Sequence, residues 1–404
     1  MSCGAMRLLV GFLSWCLVCA AAEAAWPLHT IDRASRGADG VRVADVNRDG
    51  LPDLVTGWEE GGQVRVCLNP GPEHVRKPWH SVLVGLVGSP EDAVFVDVDR
   101  DGAMDVISSS EGKIRTMHVH WAPRSHSDYL ASSAWRTQPL TGSVGLRNWM
   151  FCLPMQVDGR HGTDLVAGSK GAAAQIGWWR APKQPRDLAA WEWLPMCQAG
   201  WIMSLRSEDV DEDGDEDVVF SDRKGAGRGC YWLENPGIKG EVTRPWSAHA
   251  IGGLGQEVMF LGQADINGDS RADVVGAVRG GDLLAFERTS RRRPEWTTRH
   301  IAMPSGVGTG KAVAIADIDR DGRTDCVVSC ENAAGRVGVF WLSPPKSASG
   351  SDWGFHDISG KHRGVKFDLL RLLDLDHDGD LDVVTCEERD NLGVVWYENP
   401  GQRP

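Results

Sequence analysis

What the chain lacks narrows its function before any motif is read. It has 3 Tyr beside 18 Trp, and after its N-terminal segment it has no long apolar run. A membrane-spanning helix needs about 20 consecutive apolar residues, so none is expected in the body of the chain. Positive charge is also short: 43 Lys and Arg against 56 Asp and Glu leave a formal net charge of −13. That balance argues against nucleic acid or an anionic membrane surface as a partner. No stretch keeps an apolar period of about 3.6 residues, so helices should be few. The spacings of a Ser-His-Asp triad, a Cys-His pair and a phosphate-binding loop are missing as well, which removes the usual carriers of nucleophilic and nucleotide chemistry.

Cysteine is present but forms no framework. Of the 10 Cys, Cys3, Cys16 and Cys19 fall in the N-terminal segment. The other seven (Cys67, Cys152, Cys197, Cys230, Cys326, Cys330 and Cys386) are an odd number scattered along the chain. Cys326 and Cys330 have no second pair at a zinc spacing, so buried apolar thiols are expected. At the N-terminus, Arg7 precedes a 15-residue apolar run, Leu8 to Ala22, and "AEA" (Ala22 to Ala24) follows. The run is too short for a bilayer and reads as a cleaved signal peptide over residues 1–25. The mature chain, residues 26–404, is expected to be secreted or periplasmic, monomeric and a single domain.

What is there is a repeat. "DVNRDGLPDLV" starts at Asp45, "DVDRDGAMDVI" at Asp97, "DVDEDGDEDVV" at Asp209, "DINGDSRADVV" at Asp265, "DIDRDGRTDCV" at Asp317 and "DLDHDGDLDVV" at Asp374. A worn copy, "QVDGRHGTDLV", starts at Gln156, so the seven copies are spaced by 52, 59, 53, 56, 52 and 57 residues. A second marker, a Trp with an apolar residue five positions on, keeps the same beat at Trp26, Trp79, Trp135, Trp191, Trp246, Trp296 and Trp353. Around each acidic loop the chain reads as short Val-rich runs bounded by Gly and Asp, four to a period. One such sheet cannot bury both faces, but neighbours stacked around an axis can. The fold class expected is all-β: a seven-bladed β-propeller of four-stranded blades with calcium-binding hairpin loops.

The D-x-[DN]-x-D-[GS]-x-x-D loop between two apolar strands resembles the FG-GAP, or VCBS-type, repeat of integrin α chains and many secreted bacterial proteins. The resemblance covers essentially the whole mature chain, although the Phe-Gly…Gly-Ala-Pro motif itself is not kept. It implies a hairpin that holds calcium.

The residues suit that ion. Calcium takes six to eight oxygens at about 2.3–2.6 Å, and alternate positions of a tight loop turn their oxygens inward. The side-chain ligands expected are Asp45, Asn47, Asp49 and Asp53; Asp97, Asp99, Asp101 and Asp105; Asp209, Asp211, Asp213 and Asp217. The remaining sets are Asp265, Asn267, Asp269 and Asp273; Asp317, Asp319, Asp321 and Asp325; Asp374, Asp376, Asp378 and Asp382. The seventh position adds a backbone carbonyl. An EF-hand would need an acid at the twelfth position and flanking helices, and is rejected. About six structural Ca²⁺ would offset most of the formal −13. In the worn copy Gln156 and Arg160 replace two ligands, and the Arg160 guanidinium is expected to stand in for the metal between Asp158 and Asp164.

Function is therefore sought at the opposite mouth of the ring, where the other loops converge. Trp58, Trp149 and Trp201 lie outside the repeating Trp positions, beside Lys170, Asp222, Arg223, Lys224, Glu331 and Glu387. Trp faces among carboxylates and cations suit sugar rings. The favoured expectation is a module that binds a carbohydrate or an extracellular protein. The rival is a lyase or dehydratase on acidic or oxidised sugars, with Lys170, Arg223 and Lys224 neutralising a carboxylate or enolate. His118 and His120 share a strand face without a third ligand and read as a satisfied pair. Arg291 to Pro294 reads as a solvated loop.

Overall fold

The computed structural model describes residues 25–237, 241–290, 294–346, 350 and 352–401. The signal-peptide reading and the arginines of the Arg291 to Pro294 loop lie outside them. The described residues contain 28 strands and three short 3-10 turns between His126 and Ser143. The strands form seven four-stranded antiparallel sheets. Numbered by their inner strands, the blades begin at Ala38–Ala44, Pro90–Val96, Asn148–Met155, Ile202–Glu208, Val258–Ala264, Thr309–Ala316 and Phe367–Leu373. The protein is a seven-bladed β-propeller.

Burial explains why the second strands, such as Asp53–Trp58 and Asp105–Ser110, read as continuous rather than alternating apolar runs. Every residue of these two is buried, because blades cover both faces. The outermost strands face water, and Ser247–Gly252 is exposed at its first four positions. Every inner strand slips register at the same level, as between Asp39 and Arg42 or Phe367 and Leu370. Such a bulge sharpens the local twist and re-aims the side chains over the axis.

The chain closes on itself one strand out of phase with its repeat. Leu28–Asp32 pairs antiparallel with Gly393–Tyr397, Leu28 opposite Tyr397, and becomes the outermost strand of the last blade. Each Trp segment thus leads into a fourth strand, and the joint ties together the two ends of the described chain. Trp79, Trp135, Trp191 and Trp246 are buried. Their indole N–H groups donate to Val75, Tyr129, Pro185 and Val242 carbonyls at 2.8–3.1 Å. Each pins the loop before its strand while burying a large apolar face. The seven cysteines form no disulfide, and all but half-buried Cys197 are buried.

Candidate functional site

The acidic loops form the hairpin tips between first and second strands. Two consecutive kinks shape them: Arg48, Arg100, Glu212, Arg320 and His377 take φ of 58–62° at the fourth position, followed by a left-handed Gly at the sixth. In the Asp265 loop the order is exchanged, with Gly268 fourth and Ser270 sixth. These kinks aim amides at the first aspartate: Asp49 and Gly50 N–H donate to the two Asp45 oxygens at 3.1 and 3.0 Å. The carboxylates converge as a result. Oxygens of Asp97, Asp99 and Asp101 lie within 4.8 Å of one another, as do those of Asp209, Asp211 and Asp213, and of Asp317, Asp319 and Asp325. Asp211 Oδ1, Asp325 Oδ1 and Asp374 Oδ1 are buried without a hydrogen-bond partner. Orphaned anionic oxygens in these three loops fit a hard divalent cation.

The ninth-position aspartate has a role that sequence reasoning missed. Asp53 accepts Val46 N–H and Asn69 N–H at 3.0 and 2.8 Å, one on each oxygen. Asp105, Asp217, Asp273 and Asp382 repeat the bracket, joining the hairpin tip to the end of the third strand. So does Asp164 of the worn copy, with Val157 N–H and Ala181 N–H at 3.0 and 2.8 Å. Burial pushes the Asp164 carboxyl up to about 6 and that of Asp217 to about 7.

Blade three departs from expectation in which arginine it uses. Arg160 Nε is 3.9 Å from Asp158 and its side chain is 67% exposed. Arg180, at the end of the third strand, reaches the same Asp158 oxygen at 2.9 Å. The Gln156 amide also braces the loop, donating to the Arg160 and Gly162 carbonyls and accepting Gly159 N–H. A neutral crosslink and a strand-borne guanidinium thus occupy the space where the other loops gather charge.

At the opposite mouth the repeat supplies two charged rings. Fourteen residues after each loop start stand Glu59, Glu111, Lys170, Arg223, Arg279, Glu331 and Glu388, every one ionisable. Six residues before the loop start stand Asp39, Glu91, Lys311 and Asp368, with Met150, Met203 and Met259 in the other blades. A charged residue in an otherwise apolar inner strand, as in "FDLLRLL", was the available signal.

The rings interlock around a cavity of about 250 Å³. Lys170 pairs with Glu111, and with Glu91 at 3.3 Å; Arg223 pairs with Glu257 at 3.2 Å and Arg279 with Glu331 at 3.1 Å. Lys311 pairs with Asp368 and Lys366 with Glu388. Acid remains in excess. Carboxylate oxygens of Asp39, Glu59 and Glu388 lie within 4.8 Å of one another, and so do those of Glu59, Glu91 and Glu111. Burial, only partly opposed by Lys170, pushes Glu91 up to about 8. Burial and adjacent Asp368 hold Asp39 well above the usual range, and burial with adjacent Glu388 raises Glu59. Below, Phe151 packs edge-on against Phe260 at 5.3 Å, and Met203 and Phe260 floor the cavity.

The predicted mouth residues separate into two groups. Lys170, Trp201, Arg223 and Glu331 line this cavity. Lys224 is exposed beside it, and Lys170, Arg223 and Lys224 lie 4.5, 4.7 and 5.6 Å from the Trp201 ring. Trp58 and Trp149 are 0% exposed and offer no ring face to a ligand; unlike Trp201, both are core. Asp222 is buried and accepts the Gly200, Trp201 and Lys224 N–H groups. Glu387 is buried as a loop pivot, accepting five backbone N–H groups, and its neighbour Glu388 occupies the ring instead. His120 is satisfied by Ser108 and Thr137 at 2.9 and 2.8 Å, and burial pushes it down to about 3.

With this geometry the molecule falls into the class of repeat-built propellers whose convergent loops surround a polar mouth. The family model described as FG-GAP-like repeat matches residues 45–108 and 265–328, each stretch starting on an acidic loop. The chain is an integrin-α-like propeller carrying FG-GAP-like repeats in these two regions. Integrin alpha-7 of Homo sapiens is 30% identical over 156 residues, 33% of this chain and 12% of that protein. The chain therefore matches a small part of that relative's length. Among solved structures, BBS1N in complex with ARL6DN, soaked with mercury, superposes with a TM-score of 0.55 at 11% identity, covering 94% of this chain and 98% of that one. Sqt1 of Saccharomyces cerevisiae gives 0.51 at 10% identity, covering 91% and 98%. These two show the fold alone. No helix among the described residues is long and apolar enough to cross a membrane.

Proposed function

We propose that this chain is an exported, calcium-braced binding module whose mouth receives a basic side chain of an extracellular protein partner. The observation that carries the reading is Glu59. Its side chain has no hydrogen bond or ion pair among the described residues, yet its oxygens sit among the carboxylates of Asp39, Glu388, Glu91 and Glu111. Such a group favours an incoming cation. The surrounding rim adds apolar area: Leu86, at the end of the strand His80–Leu86, and Ile114, Val144, Leu146 and Leu254, in loops between strands, are 39–70% exposed. An apolar rim around an acidic centre suits a protein surface with a Lys or Arg anchor.

Two other readings are weaker. A carbohydrate would have to stack on Trp201, whose ring already has three cations near it. For a lyase, Lys170 and Arg223 would need to face an enolate, but each is already matched by a carboxylate. The six acidic loops would hold Ca²⁺ through the aspartates and asparagines named above, supplying charge that fixes the hairpin tips. The Arg7 to Ala24 segment would direct export.

The test is a parallel array of Lys- and Arg-centred peptides and of glycans, read with wild-type protein and with Glu59→Gln. Salt-sensitive peptide binding that falls at least about tenfold in the variant, or about 1.4 kcal/mol, is expected. Glycan binding untouched by the substitution would overturn the reading.

A further inference from the structure

The far side of the channel carries the opposite charge. Below the Met203 and Phe260 floor lies a second cavity, about 260 Å³, into which Arg42, Arg206 and Arg371 project. All three stand three residues before a loop start, in blades one, four and seven. The same position holds Val94, Leu153, Gly262 and Ala314 in the other blades, so the propeller repeat itself does not call for arginine there.

Their charges are not cancelled equally. Arg42 is neutralised by Asp92, which accepts its Nε and Nη2 at 2.9 and 3.1 Å. Arg206 donates to the Leu261 carbonyl at 2.9 Å and Arg371 to the Leu370 carbonyl at 2.7 Å. Neither forms an ion pair among the described residues. Burial, with the other arginines close by, pushes Arg371 down to about 9 and Arg206 to about 10. Two guanidinium groups held together in a half-enclosed channel repel, and each has N–H donors left over. Ser204, Ser207 and Gln263 line the same wall and offer further polar groups.

We infer that this cavity is a binding site for a doubly charged oxyanion (a sulfate or phosphate group, or a small dicarboxylate), clamped between Arg206 and Arg371. A guanidinium presents two parallel N–H donors that match such oxygens, and the net charge of the pair sets the charge of the ligand. The site is distinct from the acidic mouth and does not depend on what binds there.

Calorimetry tests it with the full chain, titrating millimolar sodium sulfate into a chloride background of constant ionic strength. Saturable binding at one site is expected, weakened at least about tenfold in Arg206→Met/Arg371→Met. Malonate in place of sulfate tells the two ligand sources apart; saturable binding of either supports the site. Absence of saturable binding for both, or unchanged affinity in the double variant, overturns it. Should that variant not fold, wild-type crystals soaked in selenate decide: an anomalous peak between Arg206 and Arg371 supports the site, and its absence there overturns it.

Discussion

Blade three and the other six blades build the same hairpin with different chemistry. Six loops crowd Asp, or Asn at Asn47 and Asn267, at positions one, three and five, and three of them leave buried carboxylate oxygens without partners. The seventh replaces them with the Gln156 crosslink and the Arg180–Asp158 pair. What both kinds keep is the ninth-position aspartate, which in Asp164 brackets two backbone amides just as in Asp217. The difference separates two jobs within one motif. Positions one to five gather charge for a cation, whereas position nine holds the hairpin to the third strand and persists where the cation ligands are gone.

Calcium removal should break the comparison most forcefully. If each of the six loops is at tenfold its dissociation constant, each contributes about 1.4 kcal/mol by mass action, so chelation should lower Tm substantially. Blade three should contribute nothing to that drop. Next come the brackets. Asp164→Ala and Asp217→Ala each strand two buried N–H donors and should cost about 2–4 kcal/mol in denaturant unfolding. The Asp164→Ala loss should be equal with and without calcium, and that of Asp217→Ala larger with it. A harmless Asp164→Ala would contradict the bracket role.

Smaller effects sharpen the contrast. Asp209→Ala should cost about 1.4 kcal/mol more in calcium than in chelator, where it loses only the exposed Asp213 and Gly214 N–H bonds. Gln156→Ala should cost about 1–2 kcal/mol under both conditions, since it removes carbonyl contacts rather than a ligand. Arg160→Met, at an exposed side chain with a weak contact, should stay within about 0.5 kcal/mol of wild type.

Much of the ring was legible because it repeats. The acidic loops, the Trp beat and the Val-rich runs set the blade number and strand count. The strand exchange at closure was not, since Trp26 looks like the start of a unit when Leu28–Asp32 actually finishes the last one. At the mouth, exception to the period is a poor sign of function, since Trp58 and Trp149 lie outside it and fill core. The useful signal was the reverse: one chemical class recurring at one register, as in the seven ionisable side chains from Glu59 to Glu388. Those residues sit one to a blade, far apart in sequence, and only the circular fold brings them within reach of one another.

The account rests on cation cages at six hairpins and none at the seventh. Native mass spectrometry of the protein in millimolar calcium measures this directly. Six bound ions are predicted, rising to seven in Gln156→Asp/Arg160→Asp/Arg180→Met, which restores the missing ligands and removes the guanidinium paired with Asp158. No bound calcium, or seven ions in the wild type, would contradict it.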